Sequence, residues 1–266
     1  IFFAIEAANQ SASRTYNDNA GKIASATFGP INIDKTAPTV SASAKKADNT
    51  PYTAGSWTNQ DVTVHYTCAD TGGSGLANCT ADQTFSATIT TTSGTATDNA
   101  GNSASATFGP INIDKTAPTI TTTATKNDGS PYVAGSWTNQ KVKVHFEATD
   151  TGSGITGDSF FDVFFDIEGA NQSASRTFTD NAGNRASASF GPINIDKTAP
   201  TITGSRLPAA NANGWNNTDV TVTAAGTDSG SGIASCTTAV VSAEGAGQNA
   251  TVSCTDNAGN TASATV

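Results

Sequence analysis

The chain has 266 residues, a formal net charge of −9 and only 13% charged residues. This acidic balance argues against a nucleic-acid-binding protein, which needs a basic face, but it leaves room for cations. No apolar run approaches the ~20 residues that a membrane helix requires, so we expect no membrane span in this segment.

Two phrases recur along the chain with one period. FGPINIDKTAPT occurs three times, and D-N-A-G-N or D-N-A-G-K recurs in step with it, about every 80 residues. Such self-similarity predicts an array of one module. The sequence opens inside a module and contains no methionine, so we expect a window of a longer repetitive protein. The four predicted repeats are a C-terminal half repeat at 1–35, complete repeats at 36–115 and 116–197, and a nearly complete repeat at 198–266.

Strand patterns follow the same order within each repeat. A first strand is expected at residues 119–126 and its equivalents. The second strand shows strict alternation, with Val62, Val64 and Tyr66 on one side in the second repeat. A loop rich in Gly, Ser and Asp comes next. A later strand then leads into D-N-A-G-N, which is typical of a hairpin turn.

The last strand loses its apolar phase at Gly109-Pro110, which indicates a bulge or a bend. About seven short strands in each repeat, with a turn at each break, favour an all-β fold. We predict a tandem array of immunoglobulin-like Greek-key β-sandwich domains, each of about 80 residues.

The four cysteines occur as one pair in each of two repeats. Cys68 and Cys79 lie in the second repeat, and Cys236 and Cys254 lie in the fourth. Pairs confined within repeats predict two disulfides and therefore an oxidising, extracytoplasmic setting. A zinc site is the weaker alternative, because neither pair has CxxC spacing and no histidine is close in sequence to the second pair.

Aspartates recur in the linker, in the loop after the second strand and in the final hairpin turn. In the expected topology these three positions lie at the same pole of the domain. Three carboxylates, with nearby carbonyls and the side chains of Asn99, Asn181 and Asn257, suit calcium, which takes six to eight oxygen ligands. The predicted sets are Asp34, Asp70 and Asp98; Asp114, Asp150 and Asp180; and Asp196, Asp228 and Asp256.

A metal-free interpretation of these aspartates stays open. Asp is a preferred turn residue, and an Asx-turn needs no metal. In addition, Lys35, Lys115 and Lys197 directly follow the linker aspartates and could neutralise them.

The motifs G-S-W-T-N-x-x-V-x-V, D-T-G-S-G-I, T-D-N-A-G-N and I-D-K-T-A-P resemble the tandem bacterial immunoglobulin-like repeats of large secreted and cell-surface proteins, including adhesins. The resemblance covers the whole chain. It implies a bacterial protein that is extracellular or bound to the cell surface. It also makes calcium between domains plausible.

No nucleophile–base–acid set or phosphate-binding glycine loop is visible, so we expect a protein that is not an enzyme. The first hypothesis is an extracellular stalk or filament of head-to-tail domains that serves adhesion or fibre assembly. Its partners would be neighbouring repeats, other copies of the chain and an unidentified surface ligand.

The alternative hypothesis is a carbohydrate- or protein-binding accessory module of an exported enzyme or adhesin tip. It requires an exposed aromatic patch. Trp57, Trp137 and Trp215 share one repeat position and are the candidates, although a recurrent tryptophan is more typical of a core or of a residue that covers the pole of a domain. The apolar stretch at 160–165 predicts either a buried strand or a contact surface between chains.

Overall fold

The computed structural model describes all residues from 1 to 266 and contains strands but no helix. The all-β prediction is therefore confirmed. The first repeat contains β1 (Ala7–Asn17) and β2 (Ile23–Ile33). The second contains β3 (Thr39–Lys46), β4 (Trp57–Thr58), β5 (Val62–Ala69), β6 (Leu76–Cys79), β7 (Gln83–Phe85), β8 (Thr92–Asp98), β9 (Ser103–Phe108) and β10 (Asn112–Ile113).

The third and fourth repeats have six strands each. The third contains β11 (Thr119–Lys126), β12 (Trp137–Thr138), β13 (Val142–Thr149), β14 (Phe160–Phe165), β15 (Gly169–Thr179) and β16 (Arg185–Ile195). The fourth contains β17 (Thr201–Leu207), β18 (Val220–Thr227), β19 (Ile233–Cys236), β20 (Thr238–Val241), β21 (Thr251–Asp256) and β22 (Thr261–Thr265).

The chain forms two compact units. The first comprises residues 1–117, 151–154 and 180–184, and the second comprises residues 118–150, 155–179 and 185–266. The repeat boundaries and the immunoglobulin-like strand order stay predictions.

The first unit has a core formed mainly by the second repeat. Its sheets are β1-β2, β3-β5-β7, β6-β8-β9 and the short parallel pair β4-β10. Val62, Val64 and Tyr66 of β5 are buried and pack with Ile111 and Ile113. The alternation predicted for the second strand of this repeat is thus confirmed, because every second side chain enters the core.

The second unit has two pairs of three-stranded sheets, one pair in the third repeat and one in the fourth. In the third repeat they are β11-β13-β14 and β12-β16-β15; in the fourth they are β17-β18-β20 and β19-β21-β22. The core of the third repeat unites Val142, Val144 and Phe146 of β13 with Phe178 of β15 and Ile193 of β16. Side chains from both sheets therefore meet in one apolar layer, as in a sandwich.

The predicted bend in the last strand is present in the second repeat. β9 ends at Phe108, and Gly109 follows with φ +141°. A Cβ on this glycine would lie 2.6 Å from the carbonyl oxygen of Thr90, so a side chain cannot be accommodated there. In the third repeat the same phrase lies within β16, where the pairing with β15 shows register shifts.

Both predicted disulfides are formed. Cys68 of β5 bonds Cys79 at the end of β6, and Cys236 of β19 bonds Cys254 of β21, with S–S distances of 1.98 and 1.95 Å. No cysteine is free. Two disulfides are consistent with an oxidising environment. The structure also contains no helix that could cross a lipid bilayer.

Candidate metal centre

The structure brings the recurrent aspartates together in threes. In each set, one carboxylate oxygen from every member lies within 4.8 Å of those of the other two. The three sets are those predicted from the sequence: Asp34, Asp70 and Asp98; Asp114, Asp150 and Asp180; and Asp196, Asp228 and Asp256.

Each aspartate is the last residue of a strand or directly follows one. In the fourth repeat, Asp196 directly follows β16 and Asp228 directly follows β18, while Asp256 is the last residue of β21. Asp34, Asp70 and Asp98 have equivalent positions around β2, β5 and β8. Because these strand ends meet at one pole, residues far apart in sequence become neighbours.

The linker aspartate holds the loop that follows the second strand. Asp34 Oδ2 accepts a hydrogen bond of 2.9 Å from the backbone N–H of Ser74, and Asp196 Oδ2 accepts one of 2.7 Å from Ser231. The loop can approach this closely because glycine precedes the serine: a Cβ at Gly230 would lie 2.5 Å from Asp196 Oδ2. These bonds connect the linker to the domain that follows it.

The hairpin aspartate organises the turn beneath the linker. Asp256 Oδ1 accepts the backbone N–H groups of Ala258 (2.9 Å) and Asn260 (2.8 Å), and its Oδ2 accepts Asn260 Nδ2 at 2.7 Å. Asn260 Nδ2 also donates to the carbonyl of Asp196 at 2.9 Å. The last residue of D-N-A-G-N thus fastens the hairpin to the linker, and Asn102 makes the equivalent contact with Asp34 in the second repeat.

The first asparagine of the same motif binds the loop that follows the second strand. Asn257 Nδ2 donates to the carbonyl of Ser231 at 2.8 Å, and Asn99 Nδ2 donates to the carbonyl of Ser74 at 2.9 Å. The structure uses the amide groups of these asparagines to bind backbone carbonyls. Their predicted role as additional cation ligands stays a prediction.

The linker carboxylates are stabilised in their charged form. Burial of Asp196 acts to raise its pKa, but hydrogen bonds from the side chain and backbone of Ser231 and the backbone of Thr198 outweigh it. The pKa of Asp196 therefore lies below its ordinary value. Burial likewise opposes ionisation of Asp114, and hydrogen bonds hold its pKa below the usual range.

The linker lysines do not neutralise these aspartates by direct pairing. Lys115 Nζ lies 2.5 Å from Asp61 Oδ1, and Lys197 Nζ lies 2.5 Å from Asp166 Oδ1. The hypothesis that each lysine pairs with the aspartate before it is wrong for these two linkers. The negative charges of Asp114 and Asp196 therefore remain available to a cation.

A glutamate that no sequence prediction included binds the linker from the preceding repeat. Glu168 Oε1 accepts the backbone N–H of Lys197 at 2.6 Å and the hydroxyl of Thr198 at 3.0 Å. Glu6 binds Lys35 and Thr36 in the same way, at 2.9 and 2.7 Å. The available signal was the recurrent spacing E-x-x-x-Q at residues 6–10, 168–172 and 244–248.

Two of the three recurrent tryptophans are not in the core. The relative exposure of Trp57 is 37% and that of Trp215 is 55%, while Trp137 is half-buried. The core interpretation of this position is therefore wrong for Trp57 and Trp215, and the interpretation as residues that cover the pole of the domain stays a prediction. Exposed indole rings keep the alternative binding hypothesis open.

No protein-family model matches the chain, and comparison with curated proteins finds no significant match. The functional argument therefore depends on the geometry of the linkers and the aspartate sets.

Proposed function

We propose that the chain is a non-enzymatic extracellular structural protein, a stalk or filament of head-to-tail immunoglobulin-like domains in a bacterial surface protein. The observation that supports this most directly is that linkers are bound from both sides. A linker with fixed contacts on each side transmits orientation and force, whereas a free one does not.

The linker between the third and fourth repeats illustrates this arrangement. On its upstream side Glu168 binds Lys197, and on its downstream side Asp196 binds Ser231. Pro200 in the same phrase favours an extended conformation for the residue before it. Together these contacts oppose bending at the linker.

Calcium fits the aspartate sets and would strengthen the same joints. All candidate ligands are oxygens, the donors that calcium prefers, and calcium–oxygen distances of 2.3–2.6 Å place opposite ligands about 5 Å apart. This agrees with the 4.8 Å spread of the carboxylate oxygens. In the second repeat, the Ser74 hydroxyl is buried beside Asp34 and, with the Ser74 backbone N–H, holds the pKa of that carboxyl below its ordinary value, so this loop offers a further oxygen there.

Scattering on one pair of variants tests the mechanical role. Glu168→Ala removes the glutamate contacts of a linker and leaves the ion pair between Lys197 and Asp166 in place, and Glu244→Ala changes the same motif position where no linker contact is made. We expect small-angle X-ray scattering to show increased flexibility for Glu168→Ala and an unchanged profile for Glu244→Ala. Equal profiles for both variants and the wild type would refute a role for the glutamate in holding the linker.

Adhesion and fibre assembly are the tasks that such a stalk would serve. Neighbouring repeats are its constant partners, and other copies of the chain or a surface ligand complete its function. Sedimentation velocity over a range of concentrations tests assembly, which should appear as concentration-dependent species.

The exposed tryptophans favour a second candidate, a carbohydrate- or protein-binding accessory module. An indole with a free face can stack on a sugar ring or anchor a protein. Iodide quenching tests whether these rings are accessible. Easily quenched emission that becomes protected on adding a soluble polysaccharide would support this candidate, and emission insensitive to iodide would remove it.

A further inference from the structure

An open groove on the third repeat is lined by three lysines and an exposed aromatic ring. It lies between the turn after β11 and the start of β13 and has a volume of about 240 Å³. It has no carboxylate in its lining, which consists of Thr125, Lys126, Asn127, Gly129, Lys141, Lys143 and Phe164. In a chain of net charge −9, this groove is lined by three lysines, and the aspartates that interact with them, Asp128, Asp162 and Asp166, lie outside its lining.

The groove has a defined internal structure. Lys141 Nζ lies 4.5 Å from the centre of the Phe164 ring, a cation–π contact that holds the ammonium group beside the groove. Phe164 is 56% exposed, so much of its apolar surface faces solvent. Lys143 Nζ is 3.7 Å from Asp162 Oδ2, which neutralises part of its charge and orients it.

The other repeats do not form this surface. Phe164 pairs with Lys143 across the two strands, but the corresponding cross-strand pair is Thr84 with Thr63 in the second repeat. In the fourth repeat the pair is Val240 with Thr221. The residue just before the second strand is Lys141 in the third repeat and aspartate at residues 61 and 219 in the others. The groove is therefore an addition to a common framework.

Charge and size together indicate the ligand. Three lysines favour carboxylate or sulfate groups, and the aromatic ring favours the apolar face of a sugar. The groove is smaller than the ~300–1,000 Å³ pockets that enclose a whole small molecule, so it suits one unit of a longer polymer. We propose that the groove around Phe164 binds an anionic polysaccharide. The inference rests on the extracellular location in the proposed function.

Replacing the groove with residues of the second repeat tests the proposal. The test variant carries Lys141→Asp, Lys143→Thr and Phe164→Thr. The control variant carries Lys45→Asp and Lys46→Thr in the second repeat, which changes the net charge equally. Both are first checked by circular dichroism and thermal unfolding against the wild-type chain.

Binding is measured on surfaces of dextran sulfate, polygalacturonate, neutral dextran and polyglutamate. We expect the wild type to bind both anionic polysaccharides and not neutral dextran. The test variant should lose at least about tenfold in affinity, the effect of removing two charge-assisted contacts, while the control variant retains wild-type affinity.

Three results would overturn the proposal. They are equal binding by the test variant and the wild type, an equal loss in the control variant, and binding of polyglutamate as tight as that of the polysaccharides. The second would indicate diffuse electrostatic attraction, and the third an acidic peptide ligand. Scattering measurements of linker flexibility on the same samples test the stalk proposal independently of binding.

Discussion

The contact between Gly230 and Asp196 allows a sharp test of how the linker is held. Gly230→Ala would place a Cβ 2.5 Å from Asp196 Oδ2, where no side chain fits. Since no positive φ is required at this position, the effect of alanine is purely steric. Either the loop or the Asp196 carboxylate must move, and in both cases the 2.7 Å hydrogen bond from the Ser231 N–H to Asp196 is lost.

The expected magnitude follows from two opposing effects. A hydrogen bond to a charged group contributes about 1.5–3 kcal/mol. Replacing glycine by alanine recovers about 0.4–1 kcal/mol by restricting the unfolded chain. The net loss is about 1–2 kcal/mol, which corresponds to a roughly five- to thirtyfold increase in opening of this loop.

Hydrogen exchange is the appropriate assay, because it reports the free energy of opening at one amide in a chain with two compact units. The protection of the Ser231 amide should fall by that factor in Gly230→Ala, and Ser229→Ala serves as the adjacent control. Unchanged protection of Ser231 in the glycine variant would refute the reasoning, since the linker contact would then tolerate a displaced loop.

Three further predictions concern calcium, the disulfides and an exposed aspartate. Calcium should raise the thermal unfolding temperature relative to chelator, with a stabilisation of about 2.7 kcal/mol per site at 100 times the dissociation constant; identical unfolding curves would leave the aspartates as turn residues. Replacing Cys236 and Cys254 together by serine should cost the fourth repeat about 2–4 kcal/mol, measured by urea unfolding, and a cost near zero would contradict a stabilising bond. Hydrogen bonds from Ser130 and Gln140 lower the pKa of Asp128 to about 2, so its contribution to stability is present above its ordinary pKa and is lost as the pH falls toward about 2. In Gln140→Ala, NMR titration should show that pKa moving back toward 3.8, and an unmoved titration would show that Gln140 has no part in it.

The disulfides show how far local pattern could predict the fold. Only two cysteines occur in each of two repeats, so pairing within a repeat left one choice, and the structure forms those bonds. The side chains that face the core could also be predicted, because alternation along a strand has a period of two whatever strand it pairs with. Trp215 is the counterexample: recurrence suggested a core or pole-covering residue, and its 55% exposure excludes a core position.

Repetition and alternation in the sequence by themselves determined the period of the repeated phrases, the all-β class and which aspartates could lie together. Tertiary structure alone decided what the polar groups contact. Lys197 could have paired with Asp196 beside it, yet its ammonium group reaches Asp166, and Glu168 binds its backbone. The physical reason is distance along the chain: strand phase depends on adjacent residues, whereas these contacts join groups about 30 residues apart, which become neighbours only when strand ends meet.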